Sequence, residues 1–146
     1  MFLMSNLYYR NLRQYAFYIF AATIIVTLAV FTPLGLEING ATRWIDLGAF
    51  SFQPAELLKI GFIIYLATWL SGTYRHLNTF KKGVLPFMGF IAGIGVIMLA
   101  QPDTDTFGIM TIAAIAMFLT AGGRWRDVGI MVVCGMCALA TMALLH

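Results

Sequence analysis

The chain has 146 residues, of which 61% are hydrophobic and 10% charged, and its net charge is +3. A soluble domain is about half apolar and about a quarter charged, and one of this length leaves about a third of its chain surface exposed, so lipid is the expected solvent for much of this molecule. A pI of about 9.1 would fit a nucleic-acid ligand, but the placement of the charges excludes that class.

Arg10 and Arg13 precede the first apolar run, which extends from Tyr15 towards Leu36. That run is too long for a signal-peptide core and no A-x-A site follows it, so it is expected to remain as a membrane span. A spanning helix needs about 20 mainly apolar residues. Five candidates follow in order: residues 15–34, 54–71, 84–100, 106–121 and 128–145. The runs are continuous rather than alternating, which indicates helices and not a barrel. The expected fold is all-α: one polytopic transmembrane bundle of about five spans occupying residues 1–146.

The loops sort by charge. The segment before the first span (Arg10, Arg13), the loop 72–83 (Arg75, Lys81, Lys82) and the turn between the last two spans (Arg124, Arg126) hold seven of the nine basic residues. The opposite side has Arg43 and Lys59, with Glu37, Asp46, Glu56, Asp103 and Asp105. The positive-inside rule places the N-terminus in the cytoplasm and, after five spans, the C-terminus outside, periplasmic or extracellular. Basic residues spread over three loops act as topology determinants, not as a nucleic-acid patch. Trp44, Trp69 and Trp125 fall near span ends, as interface aromatics do. Gly89 and Gly93 form a small-xxx-small pair expected at a close helix contact.

Several polar residues have bland readings. Cys134 and Cys137 form a C-x-x-C inside an apolar run with no His or acid nearby, and read as small packing residues rather than a redox or zinc pair. His76 reads as a solvated loop residue, and the terminal His146 carries no signal. There is no Ser/His/Asp set, phosphate-cradling Gly loop or H-E-x-x-H.

The outer face is different. A polar loop from Leu36 runs into Gln53-Pro54-Ala55-Glu56-Leu57-Leu58-Lys59. Pro54 suits the first helical turn, and Glu56 lies near the positive end of that helix. Glu56 and Lys59 share a helix face, either as an anchoring ion pair or as part of a polar pocket open to the outer leaflet. The second outer segment, Gln101-Pro102-Asp103-Thr104-Asp105-Thr106, is a short turn in which Asp103 is expected to cap the next helix. Its carboxylates and Thr oxygens are hard ligands that suit a divalent cation. Two acids alone do not define a metal site, and the cofactor stays open.

The segments Asn39-Gly40-Ala41-Thr42-Arg43-Trp44-Ile45-Asp46-Leu47-Gly48 and Phe52-Gln53-Pro54-Ala55-Glu56-Leu57-Leu58-Lys59, with Gln101-Pro102-Asp103 and Leu119-Thr120-Ala121-Gly122-Gly123, resemble the signatures of the FtsW/RodA/SpoVE (SEDS) family. Residues 36–40 and 77–86 look slightly more like FtsW. The resemblance covers essentially the whole chain. It implies a glycosyltransferase that polymerises lipid II, a disaccharide-pentapeptide on undecaprenyl pyrophosphate, at the outer face of the bacterial cytoplasmic membrane. It also implies work with a class B penicillin-binding protein and with other division or elongation membrane proteins.

A lipid-linked pyrophosphate needs a polar groove at the outer membrane surface. Arg43 and Lys59 are the candidate pyrophosphate contacts, with Gln53 and Glu56 fixing their geometry, Trp44 packing on sugar or lipid, and Gln101 and Asp103 completing the substrate site. The family pattern Q-P-D-L-G-T has Thr104-Asp105 in place of Leu-Gly, which adds a negative charge. Family members have about ten spans; these five correspond to the third to the seventh. The family's proposed catalytic Asp lies in an outer loop beyond the seventh span, so no residue here is assigned as catalyst and the chain is expected to be an inactive fragment alone. A lipid II flippase and a non-catalytic membrane interaction subunit are the competing readings. A flippase should show a polar route through the bilayer, whereas the ionisable groups here cluster at span ends.

Overall fold

A computed structural model describes residues 9–32, 35–38, 41–46 and 51–144. Five helices dominate it: α1 (Tyr9–Leu28), α2 (Pro54–Thr73), α3 (Leu85–Ala100), α4 (Thr104–Thr120) and α5 (Trp125–Leu144). The expected spans map onto them one for one. The largest offset is in α1, which begins at Tyr9 and so takes Arg10 and Arg13 into its first turns. α1 ends in a 3-10 turn, Ala29–Phe31.

The helices follow from their composition. At about 1.5 Å per residue, the 20 residues of α1 and of α2 reach about 30 Å, the thickness of a bilayer core. Among the described residues, the segments Arg13–Phe31, Pro54–His76 and Phe80–Ala100 are long and apolar enough to cross a membrane. α4 is apolar but has 17 residues, about 25 Å, and fits as a shorter helix. Between 28% and 33% of each long segment is buried within the chain, so most of its surface needs lipid or other helices. Val96, Ile112 and Ile25 project outward accordingly.

Adjacent helices run antiparallel. Arg13 lies against Gly72, Phe17 meets Tyr65, and Thr23 meets Gly61, so positions rise along α1 as they fall along α2. Phe87 packs on Phe118 with ring centroids 4.7 Å apart, and Gly95 faces Phe107, which sets α3 against α4 in the same way. Phe62, Leu66, Phe87, Met98 and Phe118 form the shared core. In lipid such packing is held by van der Waals contact rather than by exclusion of water. The close approaches are at Gly61 and Gly95. Among the described residues, a Cβ at Gly89 or Gly93 would meet nothing within 4 Å, so the expected contact is not formed there. Both are exposed, because the buried stripe of α3 runs through Phe87, Ile94, Gly95 and Met98.

The helix ends are specified locally. Pro54 occupies the first turn of α2, with Glu56 in that same turn. α4 ends in a Schellman arrangement: Gly122 N donates to Leu119 O and Gly123 N to Phe118 O, both at 3.0 Å, with Gly122 at φ +97°. α3 is entered through a π-helical turn, Phe80–Val84, in which Gly83 is so close to Leu77 that a Cβ would overlap its carbonyl oxygen. α5 forms as a helix through Cys134 and Cys137, whose side chains lie outside the described residues.

The connection between α1 and α2 departs from the expected loop. It holds a small antiparallel sheet of order β1-β2-β3: β1 (Gly35–Ile38), β2 (Ala41–Asp46) and β3 (Ser51–Phe52). Leu36-Glu37-Ile38 alternates apolar with ionisable residues, Thr42, Trp44 and Ile45 are strand formers, and Asn39-Gly40 between them is a hairpin signal. Ile45 is 8% exposed and anchors this sheet to the bundle.

Candidate functional site

The sheet end of the bundle gathers the C-terminal end of α1, the N-terminus of α2, the α3–α4 turn and β2. Its centre is Asp103, 2% exposed. Asp103 caps α4 as expected, its Oδ1 accepting from Thr106 N at 3.4 Å. Oδ2 accepts from Gln53 Nε2 at 3.5 Å, and Oδ1 stands 3.7 Å from Arg43 Nη1. A buried carboxylate is costly unless charged or hydrogen-bonded partners surround it, and Asp103 has both.

Arg43 reaches this centre from a β-bulge. Leu36 pairs with Trp44 and Glu37 with Thr42, so Arg43 is the extra residue of β2 without an opposite number. Bulges re-aim side chains and are common beside functional sites. The Arg43 side chain is 32% exposed. Its Nη2 donates to the Pro102 carbonyl, and its Nε is buried without a partner among the described residues. Its two contacts to the α3–α4 turn are thus with a backbone carbonyl and a carboxylate. Trp44 follows it, half-buried, opposite Leu36.

Gln101 is 2% exposed and turns away from the surface. Its Nε2 donates to Thr27 O at 3.1 Å, one of the last-turn carbonyls of α1 that lack a helical partner. Lys59 and Glu56 form the ion pair expected from their spacing, Nζ to Oε1 at 2.8 Å, with side chains 24% and 57% exposed. Four of the seven candidate residues (Arg43, Gln53, Gln101 and Asp103) therefore engage the α3–α4 turn, while Glu56 and Lys59 pair one turn into α2. Sequence reasoning missed the Thr27 carbonyl, the Pro102 carbonyl and the bulge. The first two are backbone acceptors, which carry no residue signature.

The family model described as cell cycle protein, FtsW/RodA/SpoVE, matches residues 1–146. The chain belongs to the FtsW/RodA/SpoVE family. It is 32% identical over 130 residues to the probable peptidoglycan glycosyltransferase FtsW of Polynucleobacter necessarius, an alignment covering 88% of this chain and 31% of that one. The chain thus spans about a third of the length of that relative. Its fold matches the crystal structure of the Thermus thermophilus rod shape determining protein RodA with a TM-score of 0.74 and 27% identity, over 97% of this chain and 44% of that one. A second solved chain, from a peptidoglycan synthase complex that coordinates polymerization and crosslinking, matches with a TM-score of 0.81 and 26% identity, over 99% and 43%. FtsW is the most frequent name among the matched relatives.

The departure of this FtsW/RodA/SpoVE chain from the Q-P-D-L-G-T pattern is structurally mild. Thr104 and Asp105 are the first two residues of α4 and both are exposed. Asp105 is in helical backbone, so a glycine is not required there. Its charge lies in the first turn, where the helix dipole favours it. Among the described residues, no group of three or more His, Cys, Asp or Glu stands together in a way that could hold a metal ion.

Proposed function

We propose that this chain is the substrate-facing middle portion of a peptidoglycan glycosyltransferase that polymerises lipid II at the outer face of the bacterial cytoplasmic membrane. In this reading α1 to α5 all span, with the N-terminus cytoplasmic and the C-terminus outside, and the sheet end faces the outer leaflet. Arg43 and Lys59 contact the donor's pyrophosphate. Glu56 orients Lys59. Asp103 and Gln53 hold the α3–α4 turn and with it Arg43. Gln101 locks that turn to α1, and Trp44 packs against sugar or lipid.

One observation carries the reading. Arg43 and Gln53 meet the Pro102-Asp103 turn from positions 59 and 50 residues away, so signature segments from two connections close into a single polar cluster at one end of an apolar bundle. An arginine on a bulge, braced by a buried carboxylate yet partly exposed, is arranged to offer its remaining donors to a phosphate. Membership of a family that includes probable peptidoglycan glycosyltransferases supports the same chemistry. A class B penicillin-binding protein is the proposed partner, in line with the synthase complex among the structural matches; other division or elongation membrane proteins complete the assembly.

The test is Lys59→Ala in the full-length protein carrying this segment, assayed for glycan strands made from labelled lipid II. Strand synthesis is expected to vanish at unchanged membrane abundance. Normal synthesis would refute the role of Lys59, and normal synthesis by Arg43→Ala as well would refute the site.

A further inference from the structure

The opposite end of the bundle carries a groove that the glycosyltransferase reading does not use. It lies between the C-terminal halves of α2 and α4, has a volume of about 450 Å³, and is lined by Ala67, Leu70, Ser71, Tyr74, Met117 and Thr120. Its inner wall is apolar. Ser71, Tyr74 and Thr120 are its hydroxyl-bearing lining residues.

Basic residues gather at the same end of the bundle. Arg75 Nε donates to the Tyr74 hydroxyl at 2.7 Å, and its guanidinium carbon stands 5.5 Å from the centre of the same ring. The Arg13 guanidinium lies against Gly72, the residue after Ser71, with Nη2 3.9 Å from where a Gly72 Cβ would stand. Arg124 and Arg126 follow the α4 terminus, and Lys81 and Lys82 lie in the turn that enters α3, all exposed. The single acid in the described residues at this end is Asp127, which is buried. The two ion pairs among the described residues are both at the sheet end. Exposed Tyr74, Phe80 and Trp125 flank the basic residues, the mixture found where a protein meets the headgroup layer.

We propose that this groove binds an anionic phospholipid of the leaflet at the basic end. One acyl chain lies along Ala67, Leu70 and Met117. The phosphate takes hydrogen bonds from the Arg75 guanidinium and from the Ser71 and Tyr74 hydroxyls. Tyr74 is suited to this, since its oxygen already accepts from Arg75 and its own proton is left to donate. The Thr120 proton is donated to Met117 O at 2.9 Å, so Thr120 bounds the mouth without serving as a donor. Charge selects the lipid: a zwitterionic headgroup brings its own cation into a basic rim, and an anionic one does not. Basic pockets between helices commonly take anionic headgroups in this way. The inference rests on the bilayer placement of the helices and is independent of glycosyl transfer, so lost lipid binding with intact strand synthesis would overturn it alone.

The experiment is native mass spectrometry of the full chain released from detergent, with phosphatidylglycerol or phosphatidylcholine of identical acyl chains added. Phosphatidylglycerol adducts are expected to be at least several-fold more abundant. Arg75→Gln should bring them down to the phosphatidylcholine level, and Ala67→Phe, which fills the groove, should remove adducts of both lipids. Arg75 and Ala67 are exposed, and Ser71→Ala offers a third, conservative probe that should also weaken phosphatidylglycerol retention. Equal retention of the two lipids by the unaltered chain would overturn the proposal. So would full retention in Arg75→Gln and Ser71→Ala, or displacement of the lipid by millimolar inorganic phosphate, which would mark a free-phosphate site.

Discussion

Gln101 Nε2 and the Thr27 carbonyl oxygen meet at 3.1 Å across 74 residues of sequence. This bond closes the C-terminal end of α1 onto the turn that carries Asp103. It satisfies a helix-end carbonyl in a place water does not reach, since Gln101 is 2% exposed and Thr27 is fully buried. The turn's position therefore depends on α1 as well as on α3 and α4.

Gln101→Leu keeps the volume and removes the donor. The stranded carbonyl should cost about 1–3 kcal/mol. Thermal unfolding of the detergent-solubilised protein, followed by intrinsic fluorescence, should show a lowered midpoint. An unchanged midpoint would mean that another donor takes over the Thr27 carbonyl.

Gly61 sits at a close approach of α1 and α2. A Cβ there would stand 2.5 Å from Thr23 Oγ1 and 3.2 Å from Thr23 Cβ. Gly61→Val should destabilise the pair by about 1–3 kcal/mol through overpacking. Thr23→Ala in the same chain should recover part of the loss, because it removes two of the clashing atoms. Additive losses in a double-mutant cycle on unfolding midpoints would show that the helices had instead moved apart.

Asp103 combines a cap with a charge, and two substitutions separate them. Asn caps helices as well as Asp does, whereas Ala costs about 0.5–2 kcal/mol at such a position. Asp103→Asn should therefore keep most of the stability while weakening the hold on Arg43. Asp103→Ala should lose both. On the proposed function, strand synthesis by the full-length protein should fall in both variants while the unfolding midpoint falls mainly in the second. Full activity in Asp103→Asn would relegate the carboxylate to capping alone.

The Glu56–Lys59 pair is partly exposed, and such pairs contribute about 0–1 kcal/mol. Glu56→Gln should leave the unfolding midpoint almost unchanged. A large loss of strand synthesis in that variant would then report on the orientation of Lys59 rather than on folding.

The helices were legible because each is a long apolar run bounded by Pro54, by charged loops or by Gly122-Gly123. Segregation of the basic residues to one end was legible for the same reason: loop charge is written locally. The capping role of Asp103 followed from its place before an apolar run. The small sheet went unread although Asn39-Gly40 is a hairpin signal, because a polar connection between two apolar runs reads by default as a loop. Among the described residues the Gly89–Gly93 contact is missing because of rotation. Spacing fixes which glycines share a face, but the face that meets a neighbour is decided by the larger residues, here Phe87, Ile94 and Met98. The site's assembly was least legible, since it rests on backbone carbonyls of Thr27 and Pro102 that any residue could supply.

The bulge at Arg43 also fixes the arithmetic of its strand. A regular antiparallel ladder keeps one parity, so every second residue faces the same way relative to its partner strand. Arg43 breaks that parity once, and the two parts of β2 on either side of it are out of step with each other against β1. Connections between helices usually absorb changes of length, yet a single-residue deletion within residues 41–46 would remove the bulge and return the strand to one parity. It would put either Arg43's side chain or Trp44's on the wrong face. In this hairpin a change of length re-aims side chains as surely as a change of residue replaces them.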